Sequence, residues 1–244
     1  MRHISLMLAL AVTTVAAPAF AHDYEMKDLE ALEKQEAWQE AVQHLGDIQP
    51  SKRNDAWQRI AEKASAGYLG QLDSKAVLST SDDLMKRYPS LKKSKVFMQG
   101  RADAALKAFG KSYASSRHST SDDPWLQSLR EFVESDTLTA DLPMRAGKLV
   151  SGRLVASIAL PFYKKAINAN AAACKDADVK SSFVSALSRG EWTDDAKALL
   201  DKSCFGDVRG AIEAELSKEG DHEDLKKNAC PVFAQKKASI AACK

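Results

Sequence analysis

Four cysteines, Cys174, Cys204, Cys230 and Cys243, all fall in the last third of this 244-residue chain. As free thiols they would be nucleophiles or metal ligands. Zinc sites, however, draw on close pairs such as Cys-x-x-Cys, and successive cysteines here stand 30, 26 and 13 positions apart. An even number of widely spaced cysteines in an exported chain reads as two disulfides. A helical hairpin over 177–189 and 194–203 would place Cys174 and Cys204 at one end, within bonding reach. Cys230 and Cys243 then pair by elimination, provided the chain bends after Pro231, because twelve helical residues span about 18 Å and a disulfide needs Cα atoms within about 7 Å. A Cys204–Cys230 bond is the alternative.

Other candidates for chemistry are sparse. His22, freed at a mature N-terminus, would offer its amine and ring nitrogen to copper. It would need a second ligand from His44, His118 or His222, and proteins that use this device are β-sandwiches, whereas no strand pattern occurs here. His222-Glu223-Asp224 gathers three possible ligands, but adjacent residues point around a helix and not along one face. Acids in a first helical turn explain those carboxylates without a metal. No Gly-x-Ser-x-Gly elbow, Walker loop or dinucleotide fingerprint is present. No catalytic residue, metal or cofactor is therefore assigned.

Charge is segregated along the chain, although the formal net charge is only +2. Residues 22–46 hold seven acids and two lysines, whereas residues 84–117 hold nine basic residues against Asp103 alone. On a helix starting at Leu91, the residues Leu91, Met98, Ala102, Ala105, Phe109 and Tyr113 share an apolar face. Lys93, Lys107 and Lys111 stand opposite, and Lys92, Lys95 and Arg101 flank them. These six basic residues form the candidate binding surface for an anionic partner: lipid phosphate, a cell-wall polymer or an acidic protein. A merely solvated face, or one turned toward the chain's own acidic N-terminal helix, are the competing readings.

The elements that position these residues read as helices. Trp38, Ala41, Val42 and Leu45 recur at i, i+3, i+4 and i+7, and Trp57, Ile60, Ala61, Ala64 and Tyr68 repeat the pattern. So do Leu126, Leu129, Phe132 and Val133, and then Val179, Phe183, Ala186 and Leu187. Gly46, Gly70, Gly190 and Gly220 stand where helices end and a left-handed residue is wanted. Asp123-Pro124 supplies a cap and a first-turn proline, and Thr193-Asp194-Asp195 opens another helix. Short connections predict antiparallel hairpins.

Weak internal echoes suggest repetition. Glu36-Ala37-Trp38-Gln39 returns as Asp55-Ala56-Trp57-Gln58, and Leu199–Cys204 resembles Asp224–Cys230. Leu84-Met85-Lys86-Arg87-Tyr88-Pro89 resembles the helix end and proline of a tetratricopeptide unit, over a stretch reaching Phe109. That resemblance to α-helical repeat proteins of the tetratricopeptide or HEAT type implies stacked helix pairs. The fold class expected is all-α: antiparallel hairpins in a bundle or short α-solenoid, with a disulfide-stabilised C-terminal part.

The N-terminus carries an address. Met1-Arg2-His3 is followed by an apolar run from Ile4 to Val15 and by Ala19-Phe20-Ala21. A positive start, a short apolar centre and a small-x-small end mark a secretory signal peptide over 1–21, cleaved after Ala21. The expected organisation is then a helical domain over 22–111, a Ser-rich linker over 112–123 and a helical domain with four cysteines over 124–244. Export disfavours nucleic acid as a partner. The expected function is a non-enzymatic periplasmic or secreted protein that binds another envelope protein or an anionic envelope component. An enzyme acting on an envelope polymer, such as a peptidoglycan-type hydrolase, and a small-ligand or metal carrier are the alternatives.

Overall fold

A computed structural model describes residues 24–115, 123–151, 156–190, 204–236, 238 and 240–243. The expected signal peptide, His22, His118 and the helix expected at 194–203 lie outside these residues. The described residues are helical, without a strand. In chain order the α-helices are α1 (Met26–Lys34), α2 (Trp38–His44), α3 (Asp55–Leu69), α4 (Ser74–Arg87), α5 (Lys95–Ser115), α6 (Pro124–Ser135), α7 (Leu142–Ser151), α8 (Ala156–Ala169), α9 (Ala177–Ser188), α10 (Phe205–Leu216) and α11 (Glu223–Gln235). Short 3-10 turns cover Pro50–Lys52, Pro89–Lys93, Ala171–Lys175 and Ala241–Cys243.

Each helix buries the stripe that its sequence period announces. In α3 the buried residues are Trp57, Ile60, Ala61, Ala64, Ser65 and Leu69, and in α6 they are Leu126, Leu129, Phe132 and Val133. Small residues allow close crossings. A Cβ on Gly100 of α5 would lie 2.4 Å from the Ala66 Cβ of α3, and one on Gly147 of α7 would lie 2.4 Å from the ring of Tyr163 in α8. Helix α2 runs antiparallel to α3: Trp38 rests on Gly67, and at the other end Trp57 Nε1 donates to the Leu45 carbonyl at 3.2 Å.

One apolar cluster runs from Leu29 in α1 to Ile240 near the C-terminus. The two halves expected from sequence thus meet in a shared interior. Helix α5 packs on α3 and α4 on one side and on α6 and α7 on the other. It continues through Ser112 to Ser115, so the first part of the expected Ser-rich linker is helix, and residues 116–122 lie outside the described residues. Asp123 precedes Pro124 at the start of α6, but its carboxylate receives the Trp125 Nε1–H at 3.1 Å and caps no backbone amide.

The cysteines form two bonds, Cys174–Cys204 and Cys230–Cys243, with Cα atoms 5.1 and 5.6 Å apart. The first ties the turn before α9 to the start of α10. The second needs a chain reversal, and that reversal comes later than expected. Helix α11 continues through Pro231 to Gln235. The chain then turns as Lys236 and Ala238 both donate to the Phe233 carbonyl. A proline removes one helical amide bond and tilts the axis, but Phe233 is buried, and its burial holds the last turn of the helix in place.

Helix ends also depart from expectation in an instructive way. Gly190 has φ of 67° and Gly220 of 147°, as a terminating glycine permits, whereas Gly70 has an ordinary right-handed φ of −64°. The left-handed position after α1 is filled by Glu36, with φ of 54°. Its amide donates to Glu33 and that of Ala37 to Leu32, the paired bonds of a Schellman ending.

Two stability outcomes follow from these constraints. Replacing Cys174 and Cys204 together by alanine frees the longer loop and lowers stability by roughly 3–4 kcal/mol on the loop-entropy account. The Cys230/Cys243 double replacement costs about 3 kcal/mol, and urea denaturation of the oxidised parent and both variants tests the order. Glu36→Gly removes the side-chain clash of the left-handed conformation and raises stability by about 1 kcal/mol, seen as a higher urea midpoint at unchanged slope.

Candidate functional site

The basic residues singled out by sequence separate into three fates. Arg101 is buried, with 7% of its surface exposed. Its Nε donates to Ser81 Oγ at 2.9 Å, its Nη2 pairs with Asp82 at 3.3 Å, and its guanidinium lies 4.8 Å from the Phe132 ring centroid. Burial holds its pKa below the ordinary arginine value, opposed by Asp82 and Asp136. It therefore bridges α4, α5 and α6 from inside and does not flank an exposed face. Lys107 and Lys111 lie exposed on α5, and Lys107 Nζ reaches the Gly70 carbonyl at 3.4 Å. Between Lys95 and Lys107 the strip is interrupted by Gln99 and by Asp103, which is paired with Arg145.

Lys92, Lys93 and Lys95 cluster separately. The helix expected from Leu91 begins only at Lys95, because Pro89 opens a 3-10 turn and Ser94 Oγ accepts the Phe97 amide at 3.1 Å. That turn carries Lys92 and Lys93 out of register with α5 and sets them beside the end of α4. There Arg87 is also exposed. Among the described residues no ion pair engages Lys92, Lys93, Lys95 or Arg87, whereas Lys86 pairs with Asp83. The acidic N-terminal helix does not neutralise this cluster: Glu33 of α1 pairs with Lys63 of α3, and Glu25 with Lys27.

A groove of about 630 Å³ opens beside this cluster, between the start of α3 and the end of α4. Arg53, Arg87 and Lys93 line it, together with Asp55, Glu62, Tyr88, Gln58 and Ser90. Arg53 is held rather than floating. Its Nε donates to the Ile48 carbonyl at 2.9 Å and its Nη2 to the Gly46 carbonyl at 3.3 Å. Its plane lies over Trp57 at 4.9 Å and near Tyr88 at 5.8 Å. Such stacking fixes a guanidinium that still presents unspent donors. Burial pushes the Tyr88 phenol above its ordinary value, against the opposing pull of Arg53 and Arg87, so it is a neutral donor at physiological pH. Ser90 Oγ donates to Gln58 Oε1 at 2.7 Å, and Gln58 donates in turn to Glu62 at 2.7 Å. The wall of the groove is thus a connected polar network. Arg53 and Tyr88 were not among the residues that sequence reasoning assigned; charge counting over 84–117 missed Arg53 because it joins the cluster only through the fold.

A contrasting surface lies at the far end of α2. Glu36, Trp38, Gln39, Glu40, Gln43 and Gln71 border an open depression of about 460 Å³. Tyr24 stacks on His44 with ring centroids 3.5 Å apart and donates to Glu40 at 3.0 Å, while His44 Nδ1 meets Asp47 at 2.7 Å.

The histidine–carboxylate group expected near the C-terminus is taken up by the fold. His222 Nε2 contacts the Lys218 carbonyl at 3.0 Å, while Glu223 and Asp224 occupy the first turn of α11. Among the described residues no group of three or more His, Cys, Asp or Glu has the geometry to hold a metal ion. No described helix is long and apolar enough to cross a membrane.

Arg101 makes a test of structural against surface roles. Arg101→Ala removes the buried bond to Ser81 Oγ, which keeps its own bond to the Leu78 carbonyl, together with the Asp82 pair and the cover of the Phe132 ring, costing about 2 kcal/mol. A comparable charge removal at Lys111→Ala stays within about 0.5 kcal/mol, and thermal unfolding of the two variants reads the difference. No protein-family profile, no curated protein and no solved structure matches this chain.

Proposed function

We propose that the chain is exported to the periplasm or beyond and acts there as a non-enzymatic helical scaffold that holds an anionic macromolecule of the envelope. The partner is another envelope protein or an anionic envelope component. The observation that carries this reading is the basic edge where α4 ends and α5 begins. Arg87, Lys92, Lys93 and Lys95 stand exposed within nine residues and make no ion pair among the described residues, Asp55 and Glu62 being the acids that line the adjoining groove. Unpaired like charges repel one another, and a folded chain gains nothing by concentrating them. An anionic partner relieves that repulsion, and the clamped Arg53 adds a directional donor at the same edge.

Two further features support export. The N-terminal pattern matches a cleavable signal peptide, and two disulfides pair all four cysteines, as oxidising compartments favour.

The full chain, expressed with its own N-terminus in a bacterium, is expected to begin at His22 after processing. A photo-crosslinking residue at position 93 captures a partner that one at the exposed position 227 does not. Replacing Lys92, Lys93 and Lys95 together by glutamate abolishes that capture and shifts stability by no more than about 0.5 kcal/mol per site. Capture in lysate also weakens as salt rises above the physiological range. Equal capture from both positions, unaffected by charge reversal, or an unprocessed chain held in the cytoplasm, overturns the proposal.

A further inference from the structure

The two disulfides differ in what surrounds them. Cys174 and Cys204 are buried, with 1% and 0% of their surface exposed. Cys230 is half-buried and Cys243 is exposed. Exchange begins when a thiolate attacks one sulfur of the bond, so access decides which bond reacts. We propose that Cys230–Cys243 is a thiol–disulfide exchange site, opened by a dithiol reductant that attacks Cys243, while Cys174–Cys204 persists as a structural bond. This site is independent of the basic edge and of the anionic partner proposed for it.

The surroundings give the two sulfurs different roles. Cys243 lies in the 3-10 turn Ala241–Cys243, and as the exposed member of the pair it is the one an incoming thiolate reaches. Cys230 lies within α11, where the exposed Lys226 and Lys227 stand four and three residues before it. Residues at those spacings are neighbours on a helix surface. Their ammonium groups stabilise negative charge on a Cys230 thiolate, which makes Cys230 the leaving sulfur. The acids of this helix, Glu223 and Asp224, occupy its first turn, and a rise of about 1.5 Å per residue sets them roughly 9 Å or more from Cys230 along the axis.

The first thiolate of the reductant bonds to Cys243 Sγ. The Sγ–Sγ bond breaks, and its electron pair leaves with Cys230. A mixed disulfide now joins the reductant to Cys243. The reductant's second thiolate attacks the reductant's own sulfur in that mixed disulfide and expels the Cys243 thiolate. The protein bond has gained two electrons, the dithiol has become a disulfide, and its two protons end on Cys230 and Cys243.

Opening this bond frees the end of the chain. Beyond α11, the Ala238 amide donates to the Phe233 carbonyl, and Ile240, 1% exposed, joins the apolar cluster. Lys236, Ala241 and Cys243 are exposed. Terminal segments lose order unless they are tied down, and a single buried aliphatic side chain is a small anchor. Reduction therefore releases this segment and uncovers the apolar surface beneath Ile240. Helix α11 itself stays held by Leu225, Ala229 and Phe233.

The test treats the full chain, purified with both disulfides formed, with limiting dithiothreitol in the absence of denaturant. Samples are alkylated at intervals, and labelled cysteines are assigned by peptide mass spectrometry. Cys230 and Cys243 are expected to label together at least about ten times faster than Cys174 and Cys204, with the helical circular dichroism retained. Over the same interval the amides of Ala238 and Cys243, bonded to the Phe233 and Ile240 carbonyls, lose hydrogen-exchange protection while α9 keeps its own. Glutathione, with a single thiol, leaves its adduct on Cys243. Lys226→Gln combined with Lys227→Gln slows the opening about threefold and does not change the rate at Cys174–Cys204. Equal labelling of the two bonds, or labelling only as the helical signal is lost, overturns the exchange site. An adduct on Cys230, with no effect of the lysine replacements, overturns the roles of the two sulfurs. Protection that survives opening of the bond overturns release of the segment.

Discussion

Burial of α5 is the constraint on which the rest of the structure depends. This helix is enclosed by α3, α4, α6 and α7. Among its residues with described side chains, those exposed are Lys95, Val96, Gln99, Asp103, Lys107 and Lys111. A helix enclosed this way needs small residues where neighbours cross, and Gly100 against Ala66 supplies that fit. It also needs any internal charge to be paired, because an unpaired buried ion costs several kcal/mol. Arg101 meets the need with Ser81 and Asp82 from α4 and with the Phe132 face from α6. Specificity is the gain: Nε and Nη2 bond directionally to α4 and the guanidinium meets a ring of α6, contacts that apolar packing alone would not direct.

The 3-10 turn at Pro89–Lys93 packs against α3, α4 and α5 and brings Lys93 to the groove at the start of α3 rather than along α5. Arg53 reaches the same edge from the other side, held by two carbonyls and two aromatic rings. The basic edge is therefore made from three chain segments.

This explains what could and could not be read in advance. The all-α class was legible because helical periodicity is local: the buried faces of α3, α6 and α9 are those the i, i+3, i+4 spacing marks. The pairing of Cys174 with Cys204 is the one expected ahead of Cys204–Cys230, although the second helix of the hairpin that suggested it, 194–203, lies outside the described residues. Arg101 was misplaced because periodicity assigns a residue to a face but not to what covers that face. On an isolated helix its position is a flank; in the fold, α4 and α6 cover it. The register of Lys92 and Lys93 was misplaced for a different reason. A proline followed by a capping serine ends one helix and begins another, and Leu91 continues the apolar stripe across that break as if no break existed. The later reversal after α11 has the same origin, since Pro231 signals a bend but Phe233 decides where it occurs.

The non-glycine ending of α1 shows how such local departures carry information. Glycine at that position would relieve backbone strain at no loss of packing, since Glu36 is exposed. Natural chains commonly keep residues short of the stability optimum. The strain at Glu36 persists because the surrounding backbone holds it: its amide donates to the Glu33 carbonyl and that of Ala37 to the Leu32 carbonyl. At the edge where α4 ends and α5 begins, Arg87 and Lys93 stand exposed without an ion pair among the described residues, although Asp55 and Glu62 line the same groove. The positive charge concentrated there raises the local potential that acts on any anion approaching the edge.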